Sequence, residues 1–245
     1  PMSNSSGAAP KPADEGYQIA YSVDADGNSI YTADMTDEQK YEAALQASIS
    51  FFKAAGYTFD EATGKFTAAP EGAEMTYEVI IPGGGTGDPP AFGILTAAKE
   101  ALATIGITLQ INDPSDSSVW NNALEANTAE MWAGAWGATV DPDMYQVYHS
   151  DNANGKGTNS NHYSIEDADL DEMIIAARNS ADQSYRKATY KECLETILDW
   201  GVEIPIYQRQ NAIVISTERV NVSTMTPDIT TFWGWTNDIE KLEMN

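Results

Sequence analysis

Two carboxylates flank a proline at Asp141-Pro142-Asp143, and this arrangement comes nearest in the sequence to a catalytic acid pair. A general acid with a general base, or with a nucleophile, needs two carboxyl groups that face one substrate across about 5–10 Å. The same residues are typical of a helix start, in which Asp141 caps, Pro142 takes the first position and Asp143 meets the helix dipole. Capping is the favoured interpretation, and it leaves contact between Asp141 and a ligand open.

A glycine-rich loop at 83–88 follows the apolar run Met75–Pro82. A loop between a strand and a helix can cradle phosphate on its backbone amides. However, no Lys-Ser or Lys-Thr follows, the spacing differs from GxGxxG, and Pro89 and Pro90 remove amide donors. A flexible loop at the rim of a cleft is therefore favoured.

The sequence offers few residues for metal binding or nucleophilic catalysis. Cys193 is the single cysteine, and its place on an apolar helical face indicates a buried structural thiol. His149 and His162 are the two histidines, so a histidine metal site would need carboxylates to complete it. Neither histidine accompanies a recognisable nucleophile elbow, which makes a catalytic triad improbable. We expect no metal and no cofactor.

Three tryptophans fall near the ends of one predicted helix and one predicted strand, at Trp120, Trp132 and Trp136. If residues 130–136 form a strand, the side chains of Trp132 and Trp136 share one face. Trp132 suits core packing. Trp136 stands where the strand gives way to Gly137, and an aromatic wall beside exposed backbone suits a peptide-like or amphiphilic ligand.

The elements that must position these residues form a βαβαβ unit. Apolar runs and helical spacing alternate from Met75 to Trp136, which predicts an α/β fold with a mainly parallel sheet and right-handed crossovers. The predicted strands are 75–82, 107–111 and 130–136, and the helices between them begin at Pro89-Pro90 and span Ser117–Ala126. Further helices are predicted at 37–55, 167–180 and 183–200, and further strands at 204–207, 212–216 and within the tail 230–245.

Composition shifts divide the chain into four predicted parts. They are a disordered leader or linker at 1–16, a hairpin and helix at 17–74, an α/β region at 75–220, which the resemblance given below assigns to a ligand-binding lobe, and C-terminal tail strands at 221–245.

The net charge limits the possible partners. The 245 residues include 37 Asp and Glu against 13 Lys and Arg, so the formal net charge is −24. Nucleic-acid binding needs clustered basic residues, and an anionic membrane surface would repel this charge. No apolar run approaches the roughly 20 residues of a membrane-spanning helix. The chain begins at Pro1 and not at methionine, which indicates a processed or excised piece.

Several short motifs resemble the family 5 extracellular solute-binding proteins, the receptors of oligopeptide, dipeptide and nickel ABC importers. The central match joins Ser118–Asn121, Ala133–Ala138 and Asp141–Asp143. Further matches, in the same order along the chain, are Phe52–Tyr57, Leu102–Ile107, His162–Ser164, Asp169–Asp171 and Ile204–Tyr207. The resemblance implies a periplasmic-binding-protein-like C-terminal lobe, about half of such a chain, without its N-terminal lobe, signal peptide and lipid anchor.

The same resemblance implies a non-enzymatic receptor that works outside the cytoplasm, periplasmic or lipid-anchored at the cell surface. Two lobes of a monomer would close over a small peptide and deliver it to an ABC permease in the membrane. Backbone at Ala135 and Gly137 would bind the ligand while tryptophan rings stack on it. The expected ligand-facing residues are Trp120, Ala135, Trp136, Gly137 and Asp141, with Asn159 and His162 as less central members.

One position departs from the family pattern. An aspartate three residues beyond the tryptophan pairs with the peptide amino terminus in peptide-binding members, whereas this sequence has Thr139 there. Either Asp141 takes over that role, or the ligand is not held by a free amine. The open alternatives are a receptor for a sugar or a metal chelate, an acidic hydrolase that uses Asp141 and Asp143, and an adhesive or scaffolding module.

Overall fold

The computed structural model describes residues 7–87, 90–137, 139–208, 212–227, 229–230 and 232–245. The α-helices are α1 (Asp37–Ala54), α2 (Pro90–Thr104), α3 (Ser117–Glu125), α4 (Tyr145–Tyr148), α5 (Ala168–Asn179) and α6 (Gln183–Trp200). The strands are β1 (Thr58–Asp60), β2 (Lys65–Ala68), β3 (Thr76–Ile80), β4 (Thr108–Asn112) and β5 (Met131–Trp132). Short 3₁₀ turns lie at Ser150–Asn152, Val222–Thr224 and Ile239–Lys241.

A three-stranded parallel sheet carries the site. Its strand order is β4-β3-β5, with Thr76 opposite Thr108 and Ile80 opposite Trp132. Helices α2 and α3 connect the strands, because parallel neighbours need a crossover. The predicted α/β fold with a parallel βαβαβ core is confirmed. Strands β1 and β2 form a separate antiparallel hairpin.

The central strand β3 supplies the apolar core beneath the sheet. Val79 is buried, and the residue that follows the strand, Ile81, is completely buried. These side chains pack with Leu109 of β4 and with Phe92 and Leu95 of α2. Val79, Ile80 and Ile81 are consecutive apolar residues, as is typical of a strand covered on both faces, and they help the sequence to identify β3.

A second core lies between helices α5 and α6. Leu170 and Ile174 of α5 pack against Tyr190 and Cys193 of α6, and all four side chains are fully buried. The buried position of Cys193 agrees with the structural thiol inferred from its spacing. Each helix begins at an aspartate cap whose carboxylate accepts hydrogen bonds from the first free backbone N–H groups, Asp167 for α5 and Asp182 for α6.

The strand predicted at 130–136 is shorter than expected, because pairing covers only Met131–Trp132. The backbone N–H of Ala133 still donates to the carbonyl of Ile80 at 3.0 Å, but the carbonyl of Ala133 accepts the indole N–H of Trp120, also at 3.0 Å. The side chain of Trp120 thus occupies a backbone carbonyl that a neighbouring strand could otherwise have bonded. The chain then leaves the sheet at Gly134.

The predicted strands at 204–207 and 212–216 are also corrected. No strand occurs over those positions in the described part of the chain, and Ile204, Tyr207 and Val214 are exposed. Residues 209–211 lie outside the described residues. In the tail, the observed pairing is a single antiparallel bridge between Val220 and Met244.

The N-terminal region differs from its prediction in two respects. The sequence predicts a disordered leader at 1–16, of which residues 1–6 lie outside the described residues. Ala8 is nevertheless buried in the helical core, and Asp14 lies 2.6 Å from the ammonium group of Lys191. The predicted hairpin in 17–34 is reduced to one bridge, Val23 to Ser29. Over the described ranges, no helix is both long and apolar enough to cross a membrane.

Candidate functional site

A cavity of about 240 Å³ lies between α3, the segment after β5 and the loop before His162. Four of the residues expected to face a ligand line it, namely Trp120, Ala135, Trp136 and His162. The remaining lining residues are Asn121, Leu124, Glu125, Trp132 and Ser160. We call this space the tryptophan cavity.

Helix α3 places Trp120 at the cavity. The helix begins at Asp116, whose carboxylate accepts a hydrogen bond from the backbone N–H of Ser118 at 2.9 Å. Trp120 follows on the first turn, and its indole N–H donates to the carbonyl of Ala133 at 3.0 Å. This bond fixes the helix to the end of β5. The indole N–H of Trp120 is therefore already used within the protein.

Gly134 leaves room for two indoles to meet. The rings of Trp120 and Trp132 make an edge contact, with centroids 6.2 Å apart. A Cβ atom on Gly134 would lie 2.9 Å from Cζ3 of Trp132 and 3.1 Å from Cζ2 of Trp120. The first distance is closer than real contacts allow, so this position requires glycine for the observed ring packing.

Behind the cavity, an aromatic stack supports Trp132. The ring of Tyr163 stacks on Trp132 with centroids 5.5 Å apart, and Tyr148 stacks on Tyr163 at 5.7 Å. The hydroxyl of Tyr148 donates to the carboxylate of Glu203 at 2.5 Å, and Tyr21 donates to the carbonyl of Glu203 at 2.6 Å. Burial raises the pKa of both Tyr148 and Tyr163 well above the ordinary value, so both stay neutral.

Trp136 forms the outer wall of the cavity. Its side chain is 38% exposed, and its indole N–H donates to the hydroxyl of Tyr163 at 3.3 Å. Ala135 and Gly137 on either side of it are exposed, and Ala135 lines the cavity. The indole of Trp136 is thus fixed by a hydrogen bond and lies beside exposed residues, as the sequence predicts for this segment.

Asp141 does not cap a helix, which corrects the sequence prediction. Helix α4 begins only at Tyr145, whose backbone N–H donates to the carboxylate of Asp143 at 3.1 Å. Asp141 lies 2.6 Å from the guanidinium of Arg186, and Asp143 lies 3.4 Å from that of Arg178. Each aspartate is thus paired with an arginine on a different helix, and Asp141 is absent from the described lining of the cavity.

Asn159 serves the loop next to the cavity. Its side-chain oxygen accepts the backbone N–H of Gly155 at 2.7 Å, and its amide nitrogen donates to the carbonyl of Glu125 at 3.0 Å. It adopts a left-handed backbone conformation, with φ of 51°, which asparagine tolerates better than most residues. These contacts join the loop to the end of α3, so the role of Asn159 here is to position cavity residues.

His162 is part of the cavity wall and packs edge-on against Trp132, with ring centroids 6.1 Å apart. Its Nδ1 atom is buried, and within the described residues it has no hydrogen-bond partner. A buried polar atom without a partner is costly. His162 therefore contributes ring surface to the cavity wall, while its Nδ1 atom is shielded from solvent.

The glycine-rich loop at 83–88 binds one of the chain's own carboxylates. Asp113, just beyond β4, accepts the backbone N–H groups of Gly85 and Gly87, each at 3.0 Å. The amides that could have held phosphate face a negative charge instead. This disfavours the phosphate-cradle alternative. Among the described residues, no group of three or more metal-ligating side chains comes together.

Sequence reasoning missed Asn121, Leu124, Glu125, Trp132 and Ser160 as cavity residues. The helical spacing could have indicated Leu124, because it lies four residues after Trp120 on the same short helix. Trp132 was assigned to core packing, whereas it both packs in the stack and lines the cavity. Ser160 carries no local signal.

Comparison with known proteins shows which solved structures share this fold. No family model matches the sequence, and no curated protein matches it. Solved structures do match. The oligopeptide-binding protein AppA of Bacillus subtilis, solved in complex with a nonapeptide, aligns with 70% of this chain and 32% of its own, at 16% identity and a TM-score of 0.52.

Two further solved structures match equally well and hold different ligands. NikZ of Campylobacter jejuni, in complex with Ni(L-His), aligns with 66% of this chain and 30% of its own, at 17% identity and a TM-score of 0.50. A periplasmic oligopeptide-binding protein of Thermotoga maritima, bound to mannohexaose, aligns with 67% of this chain and 30% of its own, at 14% identity and a TM-score of 0.50.

These likenesses define the class of fold. About two thirds of this chain has a fold that is shared with about a third of the length of these solved binding proteins. The resemblance indicated by the sequence motifs, to family 5 solute-binding proteins, is confirmed at the level of fold. Because the matching structures hold a peptide, a nickel chelate and an oligosaccharide, the fold alone does not fix the ligand.

Proposed function

We propose that this chain is the C-terminal lobe of the solute receptor of an ABC importer, and that the receptor captures peptides. The observation that carries the proposal is the tryptophan cavity beside the exposed backbone at Ala135 and Gly137, on a fold shared with transporter-associated binding proteins. In α/β sheets, ligands bind beyond the carboxyl ends of the strands, where this cavity lies.

Peptide is the favoured ligand because of the backbone that flanks Trp136. An extended peptide presents N–H and C=O groups that an exposed segment can satisfy, while ring faces cover its side chains. One lobe supplies only part of these contacts and leaves the ligand in water. Closure of an N-terminal lobe of the same parent chain would complete the site, so this lobe alone should bind peptide weakly or not at all.

A receptor for a sugar or a metal chelate is the second candidate. It is favoured by the equal likeness to the structures solved with mannohexaose and with Ni(L-His). The hydrolase alternative has less support, because Asp141 and Asp143 each engage an arginine on a separate helix.

The remaining parts of the proposal follow from this role. A receptor of this kind works outside the cytoplasm, periplasmic or anchored by lipid at the surface, as a monomer that docks on a membrane permease. It needs no cofactor and no nucleic-acid partner. The net charge of −24 fits that absence of nucleic acid.

Calorimetry on the two-lobe receptor tests the proposal. A library of peptides should include members that bind with micromolar or lower Kd. Trp136→Ala should weaken that binding by about fivefold, since stacking on an aromatic ring contributes on the order of 1 kcal/mol. Trp235→Ala is the matched control, because Trp235 is 37% exposed and does not line the tryptophan cavity.

Other outcomes would redirect the proposal. Binding of mannohexaose or of a nickel–histidine chelate, with no peptide bound, would show that the ligand class is wrong. Mass spectrometry of whatever co-purifies with the two-lobe receptor would name the class directly.

A further inference from the structure

The size of the tryptophan cavity sets the first limit on what enters it. Sites for drug-sized ligands measure roughly 300–1,000 Å³, whereas this cavity measures about 240 Å³. It is too small for an oligopeptide. It has room for one side chain or one small group, with the rest of a longer ligand lying outside, along the exposed backbone at Ala135.

The walls of the cavity set the chemistry. Three indoles, Trp120, Trp132 and Trp136, meet the single carboxylate of Glu125, and within the described lining there is neither lysine nor arginine. The face of an indole ring attracts a cation, and tryptophan does so more strongly than the other aromatic residues. A carboxylate at the same cavity adds direct charge complementarity.

The hydrogen-bonding groups of the cavity also favour a cationic ligand. The indole N–H groups of Trp120 and Trp136 already donate to Ala133 and Tyr163, so these rings do not offer donors to an anionic or acceptor-rich ligand. The lining also holds the carboxylate of Glu125, an acceptor to which the side-chain amide of Asn159 donates at 3.4 Å. A ligand rich in N–H donors fits these groups best.

The charge of the whole chain acts in the same direction. The net charge of −24 favours the approach of cations to this chain over that of anions. Arg178 and Arg186, on the neighbouring helices, are already paired with Asp143 and Asp141.

We propose that the tryptophan cavity binds an ammonium or guanidinium group, as carried by a lysine or arginine side chain. The inference rests on the proposed peptide receptor for the source of that group, and it adds a specificity that the fold does not imply. Trp120, Trp132 and Trp136 enclose the cation, and Glu125 neutralises it. Peptides with a basic side chain at the bound position are then selected over neutral ones.

Indole N–H signals in a ¹⁵N-labelled sample of the 245-residue chain give a site-specific test that does not require tight binding. The probe is Nα-acetyl-arginine methylamide, and its neutral match is Nα-acetyl-citrulline methylamide. The arginine probe should shift the signals of Trp120 and Trp136 but not that of Trp235. At equal concentration, the citrulline probe should shift them at least about fivefold less, as expected when the charge contributes on the order of 1 kcal/mol.

Variants distinguish the contribution of the Glu125 carboxylate to binding from that of the indole rings. Glu125→Gln should weaken the arginine probe by about fivefold and leave the citrulline probe unchanged, whereas Glu100→Gln, an exposed change on α2, should alter neither. Equal shifts from the two probes would overturn the proposal. So would a response to mannohexaose with none to the arginine probe.

The outcome is distinguishable from failure of the proposed function. If the two-lobe receptor binds peptides with and without lysine or arginine equally well, the cation site is wrong and the peptide receptor stands. If the arginine probe or putrescine binds the cavity while the two-lobe receptor binds no peptide, the cation site stands and the peptide function fails. If putrescine shifts the indole N–H signals more than the arginine probe does, the cation that the cavity binds is a free amine and not a peptide side chain.

Discussion

The carboxylate of Asp141 lies 2.6 Å from the guanidinium of Arg186, although the two residues are 45 positions apart in the sequence. This pair ties the segment that follows Trp136 to helix α6. The second aspartate of the same motif, Asp143, engages Arg178 on α5. The two carboxylates therefore anchor one segment to two helices.

Asp141→Asn should destabilise the chain by about 1 kcal/mol and lower its Tm by roughly 2–4 °C. The side chain of Asp141 is 57% exposed, which weakens the pair, but that of Arg186 is only 14% exposed and would be left without its partner. Urea unfolding measures the change in the free energy of unfolding. Asp199→Asn, an exposed change on α6, should stay within about 0.5 kcal/mol, and equal effects of the two variants would contradict the anchoring role.

Gly134→Ala should disturb the tryptophan cavity, because the new methyl group would overlap the rings of Trp120 and Trp132. We expect a loss of about 1–3 kcal/mol in stability and a changed near-ultraviolet circular dichroism spectrum. Gly137→Ala is the matched control. A Cβ atom there would meet no described atom within 4 Å, so stability and spectrum should be unchanged.

The stability of the chain should fall in acid partly through Asp167. The indole N–H of Trp200 first, and then the backbone N–H groups at the start of α5, lower the pKa of this carboxyl below its ordinary value. A lowered pKa in the folded state gives stability that is complete above the unfolded value, near 3.9, and is lost as the pH falls through the folded value. Asp167→Asn keeps a helix cap but removes this pH dependence.

Two measurements check the role of Asp167. The difference in unfolding free energy between the native chain and Asp167→Asn should shrink from neutral pH to below about pH 4. Trp200→Phe removes the first donor, so the pKa of the Asp167 carboxyl, followed by NMR, should rise in that variant. A difference in unfolding free energy that stays constant over the whole pH range would refute the account.

The thiol of Cys193 should resist modification in the folded chain. The side chain is fully buried, and burial raises its pKa to about 11, so little reactive thiolate forms at neutral pH. Ellman's reagent should label it only slowly, and rapidly once guanidinium chloride unfolds the chain. As a control, Asp199→Cys in a Cys193→Ala background should react at once without denaturant. Fast labelling of native Cys193 would show that the helical core opens readily.

The sequence by itself determined the elements with local signals. Thr36 and Gln39 form the capping box that starts α1, since these contacts involve residues three apart. The alternation of apolar strands and periodic helices from Met75 onward determined the parallel sheet, because only a crossover can join parallel neighbours. The sequence also predicts Trp120, Ala135 and Trp136 as ligand-facing, partly from the family resemblance, and all three line the tryptophan cavity.

The tertiary structure alone decided where β5 stops and what Asp141 does. Strand β5 ends where the indole N–H of Trp120, 13 residues earlier, donates to the carbonyl of Ala133. Asp141 pairs with Arg186, on helix α6, which comes much later in the sequence. Such contacts form when the chain packs, so no neighbouring residue encodes them. The tertiary structure alone also brings Glu125, His162 and the three indoles together around one cavity, because segments distant in the sequence supply its walls.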